Sequence, residues 1–271
     1  MKHFDVVLRT QISRTLHTSI DGRRHDHGRD LIGNTRGLLL VAGFVGLASS
    51  LLAGCVRSGG PATSVPSALT AIEDTAEDAY DQSLASNAPG VEADANELND
   101  AWQSFRPRAQ TDGASTNVLD TMDRSITELR SVASNPPGDV ELARAANAVS
   151  APMDELFALY EPPVPPAVLE LDYLGREVVL DARESDFDGS TTHVNSIEVT
   201  FGSIRDELIA DGGQQEAADF ASSITAMRAD IEAGDAGQLE TDANVELELV
   251  DVMEGVFTEA EGAEGGAEEA D

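Results

Sequence analysis

The chain has 271 residues, with 50 Asp and Glu against 17 Lys and Arg, a formal net charge of −33 and 41% hydrophobic residues, which is enough for one or two packed domains. So negative a chain repels DNA, RNA and anionic lipid headgroups, which excludes nucleic acid as a partner. Its single cysteine, Cys55, excludes an internal disulfide and any cysteine-rich zinc or iron–sulfur centre, so stability must come from packing.

Residues 1–54 read as an export signal peptide. The uncharged run GLLLVAGFVGLASSLL, Gly37 to Leu52, follows Arg36 and is short for a membrane span. It ends in Leu52-Ala53-Gly54-Cys55, which resembles the lipobox of bacterial prelipoproteins. The resemblance implies that Cys55 is acylated, that cleavage leaves it at the N-terminus, and that its acyl chains hold the protein to a membrane. Each buried CH2 adds roughly 0.8 kcal/mol, so two or three chains make a stable tether. A non-lipidated signal peptide or a short membrane anchor is the alternative. Met1–Thr35 is long and polar for the region ahead of an apolar run, and a start site misassigned upstream is compatible with it. Residue 56, immediately after the cysteine, is Val rather than Asp, so in a Gram-negative cell the resemblance implies the outer membrane.

The leader holds seven of the 17 basic residues and four of the 50 acidic ones, so residues 55–271 carry ten Arg, no Lys and 46 acids, a net of −36. Two explanations compete: a surface that attracts cations for a specific use, or adaptation to high salt, in which carboxylates keep the surface hydrated. The absence of Lys beside retained Arg, and the even spread of acids, favour the second.

Residues 55–66 form a lipid-anchored tether rich in Gly, Ser and Pro. Residues 67–161 and 167–257 read as two helical repeats separated by a Pro-rich linker at 162–166, within Glu161–Pro166 (EPPVPP), which no helix can cross. The repeats match in order: Trp102-Gln-Ser-Phe-Arg106 answers Phe201-Gly-Ser-Ile-Arg205, and Ser125-Ile-Thr-Glu-Leu-Arg130 answers Ser223-Ile-Thr-Ala-Met-Arg228. Apolar positions recur at helical spacing. Leu98, Trp102, Phe105 and Ala109 correspond to Ile197, Phe201, Ile204 and Leu208, and Leu119, Met122, Ile126, Leu129 and Ala133 to Ala217, Phe220, Ile224, Met227 and Ile231. A third stripe, Leu142, Val149, Met153, Leu156 and Tyr160, is matched by Leu239, Glu246, Val250, Met253 and Phe257, with the second copy departing at Glu246. Steps of three and four place each set on one helix face that needs a covering partner. Breaks are expected at Ala88-Pro-Gly90, Asp112-Gly113, Asn135-Pro-Pro-Gly138, Asp188-Gly-Ser190, Asp211-Gly-Gly213 and Ala233-Gly-Asp-Ala-Gly237. The reading is an all-α protein, a tandem duplication of a four-helix unit, followed by a disordered acidic tail at 258–271.

Chemistry is sparse. The mature chain has one histidine, His193, in the loop-like stretch Gly189-Ser-Thr-Thr-His193, and no nucleophile elbow accompanies it. No Gly-rich phosphate loop, His-Glu-x-x-His or haem-attachment motif occurs, so neither an enzyme nor a cofactor is expected. Carboxylates are the remaining candidate metal ligands: Glu177 and Asp181, four apart on one helix face, and Asp154 and Asp251 at equivalent repeat positions. Same-face acid pairs are nonetheless expected on any solvated helix of so acidic a chain. Arg106/Arg205 and Arg130/Arg228 recur between repeats; pairing with nearby carboxylates is favoured over binding of an anionic ligand. The sequence therefore predicts a membrane-tethered extracytoplasmic lipoprotein of the cell envelope, non-catalytic, with a protein partner there. The alternative is a cation- or metal-handling lipoprotein of iron type. In architecture alone it resembles the helical periplasmic proteins found with bacterial iron uptake systems, whose His-containing iron motifs are missing here.

Overall fold

The structure, a computed structural model, describes residues 64–268 and their side chains as far as Glu261. The signal peptide at 1–54, Cys55 and most of the tether lie outside the described residues. Among those residues there are nine helices and no strand. The first four are α1 (Ser67–Leu84), α2 (Ala88–Asp112), α3 (Thr116–Ser134) and α4 (Asp139–Ser150), and a short α5 (Met153–Phe157) follows. The last four are α6 (Ala167–Glu184), α7 (Phe187–Ala210), α8 (Gln214–Ala233) and α9 (Ala236–Glu268). In the first bundle α1 packs on α2 and α4, and α3 closes the ring by packing on the same two helices. The second bundle repeats this, with α7 and α9 each packed on both α6 and α8. Short loops make sequence neighbours antiparallel.

The apolar stripes explain why these helices assemble. Leu98, Trp102, Phe105 and Ala109 on α2 are all buried, as are Ile197, Phe201, Ile204 and Leu208 on α7. Each large side chain so buried contributes about 1.5–3 kcal/mol, which offsets the backbone entropy of a helix with little intrinsic stability. Phe201 lies 4.6 Å from Phe220 between ring centroids, joining α7 to α8 in the second core.

Several boundaries differ from the sequence expectation for local reasons. Ala88-Pro89-Gly90 opens α2 rather than interrupting the chain, because proline in the first turn lacks only an N–H that would have no partner there. Asp188-Gly189-Ser190 likewise lies in the first turn of α7, where the Asp186 carboxylate accepts from the Gly189 N–H at 3.0 Å. Pro152 divides the third apolar stripe of the first repeat into α4 and α5, whereas the same stripe in the second repeat runs uninterrupted along α9. The tail expected to be disordered from Thr258 has helical backbone as far as Glu268, since Ala and Glu extend a helix already templated by packing. Among the residues whose side chains are described, Phe257 is the last buried apolar one.

The bundles meet at α6, which packs on α4 and α5 of the first half and on α7 and α9 of the second. Leu180 of α6 belongs to the first core, while Val168, Leu171 and Val178 of the same helix belong to the second.

Candidate functional site

Helix α6, covered on several sides, buries Arg176, Glu177 and Asp181 and leaves Asp172 half-buried. Glu177 and Asp181 are buried facing α4. Arg144 of α4 reaches both, with Glu177 in a short ion pair and Asp181 at 3.1 Å, and also bonds Glu184 at 2.7 Å. Asn147, wholly buried on α4, donates to the Glu177 carboxylate at 2.8 Å and to the Tyr173 carbonyl at 3.0 Å.

His193 completes this constellation and corrects the loop expectation. It lies within α7, half-buried, with Nδ1 2.7 Å from Asp181 Oδ2. That hydrogen bond raises its pKa against the burial that would lower it. Among the described residues, Glu177, Asp181 and His193 are the one set of three or more such side chains whose ligand atoms all lie within 4.8 Å of one another. Ligands at about 2.0–2.2 Å from a tetrahedral ion stand roughly 3.3 Å apart, so the His193–Asp181 contact would have to lengthen and Arg144 to withdraw before a metal entered.

A second cluster lies between α6 and α1. The Arg176 guanidinium, on a residue only 5% exposed, ion-pairs with Glu77 of α1 and with Asp172 one turn earlier. It sits 5.2 Å from the centroid of the Tyr80 ring, in cation–π contact. Its buried Nη1 has no hydrogen-bond partner. Glu73 adjoins Glu77, and Asp251 and Glu254 of α9 bring further negative charge. Burial pushes the Asp172 carboxyl up to about 7 and that of Glu254 up to about 8. Against the same burial, the charge of Arg176 holds Glu77 below the usual carboxylate range.

Beside this cluster, Glu246 of α9 is fully buried, and neither carboxyl oxygen has a partner. Burial, with Asp172 nearby, raises its pKa well above the ordinary value. Gly175 makes room for it, since a Cβ there would come within 2.2 Å of Glu246 Oε2.

The remaining candidates are scattered. Asp154 is half-buried on α5 and Asp251 is exposed on α9; neither joins the Glu177 set. Cys55 lies outside the described residues. Of the recurring arginines, Arg106 pairs with Asp123 at 2.9 Å and Arg228 with Glu198 at 2.6 Å, whereas Arg130 bonds the amide oxygens of Asn96 and Asn99, each at 3.4 Å. Sequence reasoning missed Arg144, Asn147 and Arg176, whose partners are distant in the chain. The unpaired polarity of Glu246 was visible as a break in the stripe, but its burial was not. No family model, curated protein or solved structure matches the chain.

Proposed function

We propose that this protein is an extracytoplasmic lipoprotein, anchored to a membrane through Cys55, and that it acts as a non-catalytic binding or accessory protein for a protein partner in the cell envelope. The observation that carries this reading is the series Leu52-Ala53-Gly54-Cys55 at the end of an uncharged apolar run. Residues 56–66 then lead directly to Ser67, where α1 begins. Fully extended, such a tether spans roughly 35 Å, enough to hold two helical bundles clear of lipid headgroups that their charge repels. The test is membrane fractionation of cells expressing the wild-type chain and Cys55→Ala, with mass analysis of the N-terminal peptide. Diacylglyceryl-cysteine in the wild type and release of Cys55→Ala from the membrane are expected. Membrane association that survives Cys55→Ala would overturn the anchor.

One observation favours cation handling as a second reading: Glu177, Asp181 and His193 are gathered within ligand distance of one another. With His193 neutral, the constellation of Glu177, Asp181, Glu184 and Arg144 carries a net of −2, the charge a divalent ion balances. Calorimetric titration with zinc, copper, iron and calcium at moderate and high salt tests it. Saturable binding that survives salt and is lost in His193→Ala supports this reading; heats that vanish with salt, or that persist in the variant, oppose it.

A further inference from the structure

The two repeats build the same kind of core, so a difference between them on the outside is not required by packing. Leu239, Val250, Met253 and Phe257 of α9 are buried, as are their counterparts Leu142, Met153, Leu156 and Tyr160. On an adjoining face of α9, Val245 is 44% and Val252 47% exposed, and these are two of the three large apolar side chains exposed among the described residues. Leu249 lies between them, half-buried. Steps of four and three put all three on one line roughly 10 Å long. At the same offset the first repeat has Ala148, Pro152 and Glu155. Single apolar side chains are ordinary on a surface, whereas an aligned row marks a place of contact.

The row borders an open groove of about 350 Å³ between α9 and α8. Ser222, Ser223 and Ala226 of α8 face it, and both hydroxyls turn back to their own helix, donating at 2.8 Å to the carbonyls of Ala218 and Phe220. Asp219 and Asp242 flank the groove. Each accepts from a glutamine amide, Gln215 at 2.9 Å and Gln238 at 3.0 Å. Neither wall supplies a cation: α9 has no arginine, and the one arginine of α8, Arg228, pairs with Glu198 of α7 at 2.6 Å. In the first repeat Thr121 and Ala145 stand in place of the two aspartates, and Arg124 and Glu128 in place of Ser222 and Ala226. The apolar row and its acidic flanks thus occur together in the second repeat alone.

We propose that this groove receives an amphipathic basic helix of the partner protein, with aliphatic side chains seated along Val245, Leu249 and Val252 and Lys or Arg side chains reaching Asp219 and Asp242. The proposal rests on the reading of the chain as an accessory protein with a protein partner, and names that partner's chemistry. Shape and charge select the occupant. An open groove does not enclose a small molecule, but a row of apolar side chains over two helical turns matches the i, i+3 or i+4, i+7 face of a helix laid beside it. A second copy of this chain would bring a net charge of −36 on residues 55–271 against the acidic flanks, and the acidic segment 258–271 offers no apolar side chain larger than Ala. Both are repelled where a basic helix is attracted.

The groove is tested by fluorescence anisotropy of a labelled peptide of leucine and lysine, roughly 14 residues with its leucines on one helical face, titrated with the full chain. A peptide of the same composition in scrambled order carries the charge without the apolar face. The ordered peptide should bind roughly tenfold more tightly than the scrambled one, and Val245→Ser with Val252→Ser, which changes two exposed side chains and no charge, should abolish that advantage. Asp219→Asn with Asp242→Asn should weaken binding at about 0.05 M salt and have little effect at about 1 M. Equal affinity for the two peptides, or an advantage unchanged in the valine variant, would reduce the binding to general attraction by an acidic surface and overturn the proposal. A chain that sediments as a dimer in wild type and as a monomer in the valine variant would overturn it too, by assigning the row to a second copy. Fractionation of Cys55→Ala judges the membrane anchor separately, so the groove and the lipoprotein reading fail independently.

Discussion

Glu246 stands where the first repeat has Val149, and both side chains are completely buried. An apolar residue at this position packs, whereas a carboxyl with no partner must give up hydration. Replacing it with an unbranched apolar side chain of similar length should therefore stabilise the protein. Glu246→Met is expected to add about 1–3 kcal/mol at pH 7, read as a higher urea midpoint at unchanged slope. An unchanged or lowered midpoint would mean that the carboxyl finds a partner in solution. Gly175 is the other half of this arrangement. Alanine ordinarily gains up to about 1 kcal/mol over glycine in a helix. Here its Cβ would meet Glu246 Oε2 at 2.2 Å and Leu247 Cδ2 at 2.7 Å, so Gly175→Ala should lower the thermal midpoint instead. The apolar stripe identified position 246 as a departure, but only the close approach of α9 to Gly175, across a long sequence separation, makes it a buried carboxyl.

At the scale of elements, what was legible followed from what each signal depends on. The stripes on α2 and α7 could be read because a helical period is a local property, and every residue named on them is buried. Glu177 and Asp181 could be read as neighbours on one face for the same reason. Arg144, which binds them from 33 and 37 residues away, could not, because a tertiary ion pair leaves no period in the sequence. His193 was misread because Gly189-Ser-Thr-Thr has the composition of a loop; the Asp186 cap and the buried Val194 and Ile197 carry the helix through it. The value of Arg144 to the seam can be measured. Arg144→Ala takes from two buried carboxylates the arginine that pairs with both, and a loss of roughly 2–4 kcal/mol is expected, discounted because the arginine is a third exposed. A double-mutant cycle with Glu177→Gln should recover part of that loss, since it removes one of the stranded charges. Full additivity in the cycle would show that the pair does not couple in solution.

For the whole molecule the governing quantity is charge: residues 55–271 hold 46 acids against ten arginines, and Arg106, Arg144, Arg176, Arg183 and Arg228 are committed to ion pairs. The remaining carboxylates repel one another across distances that salt screens: the Debye length falls from roughly 14 Å near 0.05 M to about 3 Å at 1 M. Thermal stability at pH 7 should therefore rise with NaCl over that range. If the acidity is solvation alone, KCl and tetramethylammonium chloride should do the same at equal ionic strength, because screening is indifferent to the identity of a monovalent cation. A divalent ion that matches molar NaCl at millimolar concentration would indicate site binding instead, and His193→Ala then decides whether the site is the Glu177, Asp181 and His193 set. The buried carboxyls respond differently from the surface. Asp172 and Glu254 bind protons more tightly folded than unfolded, so the stability they add is fully present in acid and is lost as pH rises through about 7 and about 8. Screening relieves repulsion among exposed charges but does not return protons to either group, so that loss between pH 6 and 9 should persist at 1 M salt. A pH dependence that disappears in molar salt would assign it to the surface; one that survives salt but flattens in Asp172→Asn would assign it to the seam.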